Sequence, residues 1–278
     1  MDAGATAGRL GASEALAYGL LQGPTELLPV SSSGHLVLAP WLSNSDYQRL
    51  DPELRKAFEV ALHVGTAAAL VLVMRDEVVE AITELDRRRL GLVVSTLAPA
   101  AVAVLVFERQ IERYASRPPV VAGGLAAGAV AMWLADRRPG HRSRESATMR
   151  DGIVIGTAQA LALVPGVSRN GATLVAARLR GFDRQAAMEL SMHAALPVIG
   201  AAAVLKGVRL AKRGLPHELR ASFALGATGA FVSSLASARL VAHSRRARKL
   251  APYAAYRIGL AAAVGATLWR RRRASGAD

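Results

Sequence analysis

Six apolar stretches, near residues 57–74, 90–107, 118–135, 186–205, 221–241 and 252–269, divide this chain, and charged residues border each one. A helix needs about 20 mostly apolar residues to cross the hydrocarbon core of a bilayer, and a shorter one suffices when flanking charges snorkel. Inside lipid every backbone polar group needs an internal partner, so each stretch is predicted to be a helix. Hydrophobic residues make up 52% of the chain and aromatic residues only 5%. That mixture of Ala, Leu, Val and Gly suits closely packed membrane helices better than a soluble core. The expected fold class is an all-α polytopic membrane protein with about six full spans.

The net charge of +14 raises the question of nucleic acid. The basic residues, however, lie in the connections: Arg87 to Arg89, Arg137 and Arg138, Arg245 and Arg246, and Arg270 to Arg273. Beside spans, such residues set topology and contact anionic head groups. No RNA-binding motif or aromatic platform accompanies them, so no nucleic-acid partner is expected. There is no cysteine, which excludes disulfides and thiolate catalysis. Met1 to Arg9 lacks the basic and apolar regions of a cleavable signal peptide, so insertion is expected to rely on the first spans.

The chain also repeats itself. Gly19 to Gln22 aligns with Gly156 to Gln159, and Pro29 to Ser32 answers Pro165 to Ser168. Phe58-Glu59 and His63 answer Met188-Glu189 and His193, and the later spans follow, at an offset of roughly 130 to 137 residues. The chain is thus expected to form one membrane domain, 1–278, with repeat halves at about 11–135 and 151–270. Each half holds a motif-bearing stretch, 23–42 or 165–182, too short and broken to cross a bilayer. These are predicted to be re-entrant helical hairpins, which survive only when buried in protein or facing water. Three crossings per half make the second half inverted, an arrangement with a site near the midplane where the repeats meet. Orientation stays open, because the connections 75–89 and 206–220 are both basic.

The two motif stretches hold the ionisable groups. Gln22 and Glu26 are four residues apart and share a helical face, with Pro24 between them favouring a bend. A carboxylate and an amide carbonyl at that spacing can hold a hard divalent cation. Glu26 can equally pair with an arginine across the repeat interface. Ser31, Ser32 and Ser33 precede Gly34 and His35. Any one serine here reads first as a helix N-cap, but the free N–H groups of such a helix start also suit phosphate. His35 is a candidate general acid or base, or a nucleophile, although a lone histidine is often only a satisfied structural group.

In the second stretch Ser168 is expected to cap a helix from Arg169 to about Arg180. Arg169 offers a planar fork of donors for phosphoryl oxygens. Within apolar sequence it needs an anionic partner, either Glu26 or a ligand. Thr173 lies one turn further along the same side. The pairs Glu59/His63 and Glu189/His193 each share a helical face and are expected to support the hairpins by hydrogen bonding.

At these residues the chain resembles the undecaprenyl-diphosphatase family, also called the bacitracin-resistance proteins. Gln22, Glu26, Pro29, Ser31, Ser32, Gly34 and His35 match its first motif; Pro165, Gly166, Ser168, Arg169, Gly171 and Thr173 match its second. Gln22 stands where many members carry Glu, and Asn170 replaces the usual second Ser of the arginine motif. The resemblance implies removal of the terminal phosphate from undecaprenyl diphosphate, with Mg2+ or Ca2+, in the bacterial cytoplasmic membrane by an often dimeric enzyme. On that expectation Glu26, with Gln22, holds the cation. Ser31, Ser33, Ser168, Arg169 and Thr173 bind substrate, and Ser32 or His35 takes part in proton transfer or attack. The resemblance does not choose between a covalent intermediate and direct attack by water. Diphosphatases of other lipids, and a transporter that flips a polyprenyl phosphate without cleaving it, are the rival readings.

Overall fold

The computed structural model describes residues 10–84, 86–213, 215–243 and 249–276. Met1 to Arg9 and the Arg245–Arg246 pair lie outside the described residues. Those described form eleven α-helices and two 3-10 turns, with no strand beyond a single Arg142–Phe182 bridge. The first half comprises α1 (Ala12–Leu27), α2 (Ser32–Ser43), α3 (Pro52–Val73), α4 (Arg75–Thr83), α5 (Arg87–Tyr114) and α6 (Pro118–Asp136). The second comprises α7 (Met149–Leu161), α8 (Arg169–Leu179), α9 (Arg184–Arg213), α10 (His217–His243) and α11 (Ala251–Ala274).

All six predicted stretches are helical. Among the described residues, four are long and apolar enough to cross a membrane: Pro52–Val73, Arg87–Phe107, Pro118–Asp136 and His217–Arg239. The stretches expected at 186–205 and 252–269 fall in α9 and α11. Both helices are long, but Glu189 and His193 interrupt the first and Arg257 the second. The chain is a multi-pass, all-helical protein with several apolar helices of spanning length.

The predicted hairpins are larger than the motif stretches alone. Each pairs a short helix before the motif with another after it: α1 with α2, and α7 with α8. At 16, 12, 13 and 11 residues and 1.5 Å per residue, none exceeds about 24 Å, short of the roughly 30 Å hydrocarbon core. Helix α1 continues through Pro24 to Leu27.

Small residues let these short helices sit directly on long ones. A side chain at Gly19 or Gly23 would collide with the backbone of α10, and one at Gly156 with the Thr96 carbonyl of α5. On α10 the Ser233 hydroxyl accepts from Gly23 N at 3.2 Å and donates to Gly19 O at 3.0 Å. This fixes α1 one turn before Glu26. Phe58, Leu62 and Phe223 fill the contact between α3 and α10, while Leu174, Ala177, Phe182 and Ala187 fill the core around α8 and α9. Burial of each large side chain contributes about 1.5–3 kcal/mol.

Candidate active site

Both motif turns use one capping device. Ser31 precedes α2 and its hydroxyl accepts from Gly34 N at 3.2 Å; Ser168 precedes α8 and accepts from Gly171 N at 3.1 Å. These bonds satisfy donors that a helix start leaves orphaned. Ser31 does so with a φ of 78°, unusual outside glycine and typical of strain held at functional sites.

The first residue of each capped helix is Ser32 in α2 and Arg169 in α8, and both side chains reach Glu26. Ser32 Oγ donates to Glu26 Oε2 at 2.5 Å, and Arg169 Nη2 donates to Glu26 Oε1 at 3.0 Å. The Glu26 side chain is 8% exposed and Arg169 18%, so water screens the pair weakly. Of the two partners the sequence allows for Arg169, the structure joins it to Glu26. Only Nη2 of that guanidinium has a protein acceptor among the described residues, leaving donors for a second anion.

Gln22 lies on the same face of α1, as its spacing requires. Its Nε2 is 3.4 Å from Glu26 Oε2 and 3.3 Å from His63 Nδ1, and His63 Nδ1 is 3.9 Å from Glu26 Oε2. The Oε1 atom of Gln22 is buried and has no hydrogen-bond partner among the described residues. An orphaned carbonyl oxygen beside a carboxylate is the donor set a hard cation prefers. No cluster of three or more His, Asp or Glu able to hold a metal occurs among the described residues. A cation here would therefore take most of its oxygens from substrate and water.

The other candidates divide. Ser33 is exposed at the turn, 3.4 Å from Ser31 Oγ. His35 is not brought to Glu26. Its Nδ1 lies 2.7 Å from Ser31 O, so Nδ1 carries the proton, and Nε2 accepts from the Tyr256 hydroxyl at 2.6 Å. Thr173 is fully buried behind α8, bonded to Arg169 O, Asn170 O and Ser191 Oγ. Asn170 bridges the hairpins: Nδ2 donates to Leu27 O at 2.6 Å and Oδ1 accepts from Ser191 at 2.9 Å. An amide supplies the donor and acceptor that this place needs at once.

Of the two Glu/His pairs, the first supports the site through His63. Glu59 accepts from the Tyr47 hydroxyl at 3.4 Å. In the second, the backbone carbonyl of Glu189 accepts from His193 Nδ1, while the Glu189 carboxylate faces Arg144. That pair ties α9 to the 3-10 turn Arg144–Ser146.

Two residues of α11 complete the surroundings, and sequence reasoning passes over both. Tyr256 holds His35. Arg257, 1% exposed, donates to Pro29 O (3.3 Å) of the first turn and Gly166 O (2.8 Å) of the second. It also donates to Gly124 O and Leu125 O of α6. The available signal was its isolation: Arg257 is the only charged residue in the stretch 252–269. A lone charge in apolar sequence marks a site or its scaffold.

Beside the Glu26–Arg169 pair a small cavity opens between α1, α3, α8, α9 and α10. Leu70, Met74, Met188, Ala195 and Ile199 line its far wall.

The family model of the bacitracin resistance protein BacA matches residues 15–263. The chain is 36% identical over 270 residues to an undecaprenyl-diphosphatase of Moorella thermoacetica, covering 93% of this chain and 98% of that one. It is 37% identical over 265 residues to an undecaprenyl-diphosphatase of Pelobacter propionicus, covering 90% and 94%. A further undecaprenyl-diphosphatase, from Chromohalobacter salexigens, is 41% identical over 212 residues, 72% of this chain and 77% of that one.

Proposed function

The chain belongs to the bacitracin resistance protein BacA family, and on that premise we propose that it removes the terminal phosphate from undecaprenyl diphosphate. The products are undecaprenyl phosphate, reusable as a carrier of cell-wall precursors, and inorganic phosphate. The observation that carries this reading is the convergence of Ser32 and Arg169 on Glu26. A nucleophile hydrogen-bonded to its base, beside a guanidinium with donors to spare, is the arrangement phosphoryl transfer needs.

Arg169 and the first-turn N–H groups of α2 and α8 bind the terminal phosphate and neutralise its charge. The Ser32 hydroxyl gives its proton to Glu26 as Oγ attacks phosphorus. The bond to the bridging oxygen breaks, and the lipid monophosphate leaves. Glu26 passes that proton to the departing lipid phosphate. Water then attacks the phosphoserine and gives its proton to Glu26. The P–Oγ bond breaks, Glu26 returns the proton to Ser32 Oγ, and phosphate is released. His35, its imidazole held between Ser31 O and Tyr256, keeps the turn in shape rather than attacking.

A divalent cation, Mg2+ or Ca2+, belongs to the same reading. Gln22 and Glu26 would hold it, and when bound it neutralises phosphate charge. The orphaned Gln22 Oε1 supports this assignment. The halves 11–135 and 151–270 as inverted repeats with re-entrant hairpins are a further part of the proposal, supported by the matched caps and the shortness of α1, α2, α7 and α8. Residence in the bacterial cytoplasmic membrane, and a homodimer, complete the proposal.

The test is phosphate release from undecaprenyl diphosphate by the purified protein with Mg2+ or Ca2+, beside Arg169→Ala and Glu26→Ala. Metal-dependent release that both substitutions abolish is expected, with a burst of lipid monophosphate and a phosphoryl group trapped on Ser32. Lipid binding without any phosphate release from folded protein would overturn the phosphatase and leave a head-group transporter.

A further inference from the structure

Arg257 is the largest of the fully buried side chains. It has no carboxylate within ion-pair distance among the described residues, and all of its hydrogen bonds go to backbone carbonyls. A buried guanidinium without a counter-ion is expensive and persists only where its bonds are well made. The surroundings are shaped to admit it. A side chain at Gly128 of α6 would collide with Arg257 Nη2, and one at Gly171 would stand 3.0 Å from Nη1.

Its four acceptors belong to three segments. Pro29 O lies in the first turn, Gly166 O in the second, and Gly124 O and Leu125 O on α6. The turns themselves touch where a side chain on Gly34 would come 3.4 Å from Gly166 Cα, and Gly166, at φ 94°, is pressed against Val121 O of α6. Each turn immediately precedes the helix that presents Ser32 or Arg169. The separation of those two side chains is therefore set by the separation of the carbonyls that Arg257 holds.

We propose that Arg257 is a positioning residue that clamps the two turns together, so that Ser32 and Arg169 reach Glu26 at the same time. The planar fork of guanidinium donors spans the two carbonyls at fixed distance, which a lysine ammonium cannot do. Its catalytic consequence rests on the phosphatase reading above; the clamp itself does not. Small misplacements of reacting groups reduce turnover by up to about a hundredfold. Arg257→Lys should thus lower kcat by about thirty- to a hundredfold with KM changed less than about threefold.

The experiment joins kinetics to a distance measurement that is independent of catalysis. Because the chain has no cysteine, Ser33→Cys and Val164→Cys place one spin label at each turn in an otherwise cysteine-free protein. The distance distribution should be narrow in the parent and broader, with a longer mean, in Arg257→Lys. Gly128→Ala, which pushes the guanidinium aside while leaving its charge in place, should broaden it as well. That variant also serves if Arg257→Lys does not fold. A broadened distribution with kcat reduced supports the proposal. A broadened distribution in a protein that never releases phosphate supports the clamp and sinks only the phosphatase reading. An unchanged distribution in either variant, whatever the activity, overturns the clamp.

Discussion

At the turn between α1 and α2, Ser31 caps the next helix; at the turn between α7 and α8, Ser168 does the same through the same bond, to the N–H three residues on. From that common point the two regions diverge. The first helical position is Ser32 in one and Arg169 in the other, and the fourth is His35 in one and Ala172 in the other. In the preceding helices Gln22 and Gln159 correspond, yet four residues later stand Glu26 and Leu163. Gln22 faces Glu26 and His63, whereas Gln159 spends its amide N–H on Thr96 O, a structural bond to α5. The backbone device is duplicated and the chemistry is divided: acid and hydroxyl come from one turn, guanidinium from the other. Neither turn is a site by itself.

Breaking the bond between the two regions should give the largest effect. Arg169→Ala removes phosphate neutralisation and should lower kcat/KM by about a thousandfold or more. It also leaves the buried Glu26 without its guanidinium, with Ser32, Gln22 and His63 still beside it, which destabilises by up to about 3 kcal/mol. The double substitution Glu26→Leu with Arg169→Met separates these consequences. Replacing a buried ion pair with apolar side chains of similar size is often neutral or stabilising. The double variant should therefore recover the melting temperature of the parent in detergent while remaining inactive. Recovery of neither would mean that the pair holds the hairpins together in a way its apolar replacement cannot.

Exchanging hydroxyls between the regions sharpens the comparison. Ser32→Ala removes the group bonded to Glu26 and should reduce kcat by about 10²–10⁴-fold with little change in stability. Ser168→Ala removes only a cap. It should lower stability by about 1 kcal/mol and leave most of the turnover intact. Rate and melting measurements on the two variants should give opposite rankings. Equal kinetic losses would mean that Ser168 also touches substrate.

Local signals carried most of this architecture, and long-range ones did not. The caps were legible because an N-cap depends on residues three apart. Four spans are legible from length and composition among the described residues, while the stretches in α9 and α11 carry Glu189, His193 and Arg257 and are less plainly apolar. The partnership of Arg169 with Glu26 could be narrowed to two choices because a charge in apolar sequence must find a partner. Which choice prevailed depended on how the turns meet, across 143 residues of chain. The contact of Ser32 with Glu26 rests on the positive φ of Ser31, which no residue preference announces. The motif around His35 is local, but its partner Tyr256 lies 221 residues away, and no local signal joins the two. Arg257 satisfied the same rule as Arg169 and was hidden by being alone.

The smallest expected effects lie where the two hairpins begin, far from the chemistry. Asp151, in the first turn of α7 and outside the four apolar spans, closes a capping box with Thr148 and pairs with Arg142 at 2.8 Å and Arg180 at 2.6 Å. Burial alone would raise its pKa, but the two guanidiniums and Thr148 hold the carboxyl well below the usual carboxylate range. A depressed acid stabilises the fold fully above its unfolded pKa, about 3.9, and that contribution fades as pH falls through the folded value. Glu14, at the start of α1, accepts instead from the Ser45 hydroxyl and, at 3.4 Å, from Tyr47 N. Asp151→Asn should therefore lower stability at neutral pH by about 1–3 kcal/mol, and Glu14→Gln by less than about 1 kcal/mol. Both should keep parental kcat, since neither residue reaches the turns. The Asp151→Asn deficit should shrink as the melting series is taken below about pH 4. A deficit that persists undiminished there would mean that the carboxylate matters through its shape and hydrogen bonds rather than its charge, and that the second hairpin is anchored like the first.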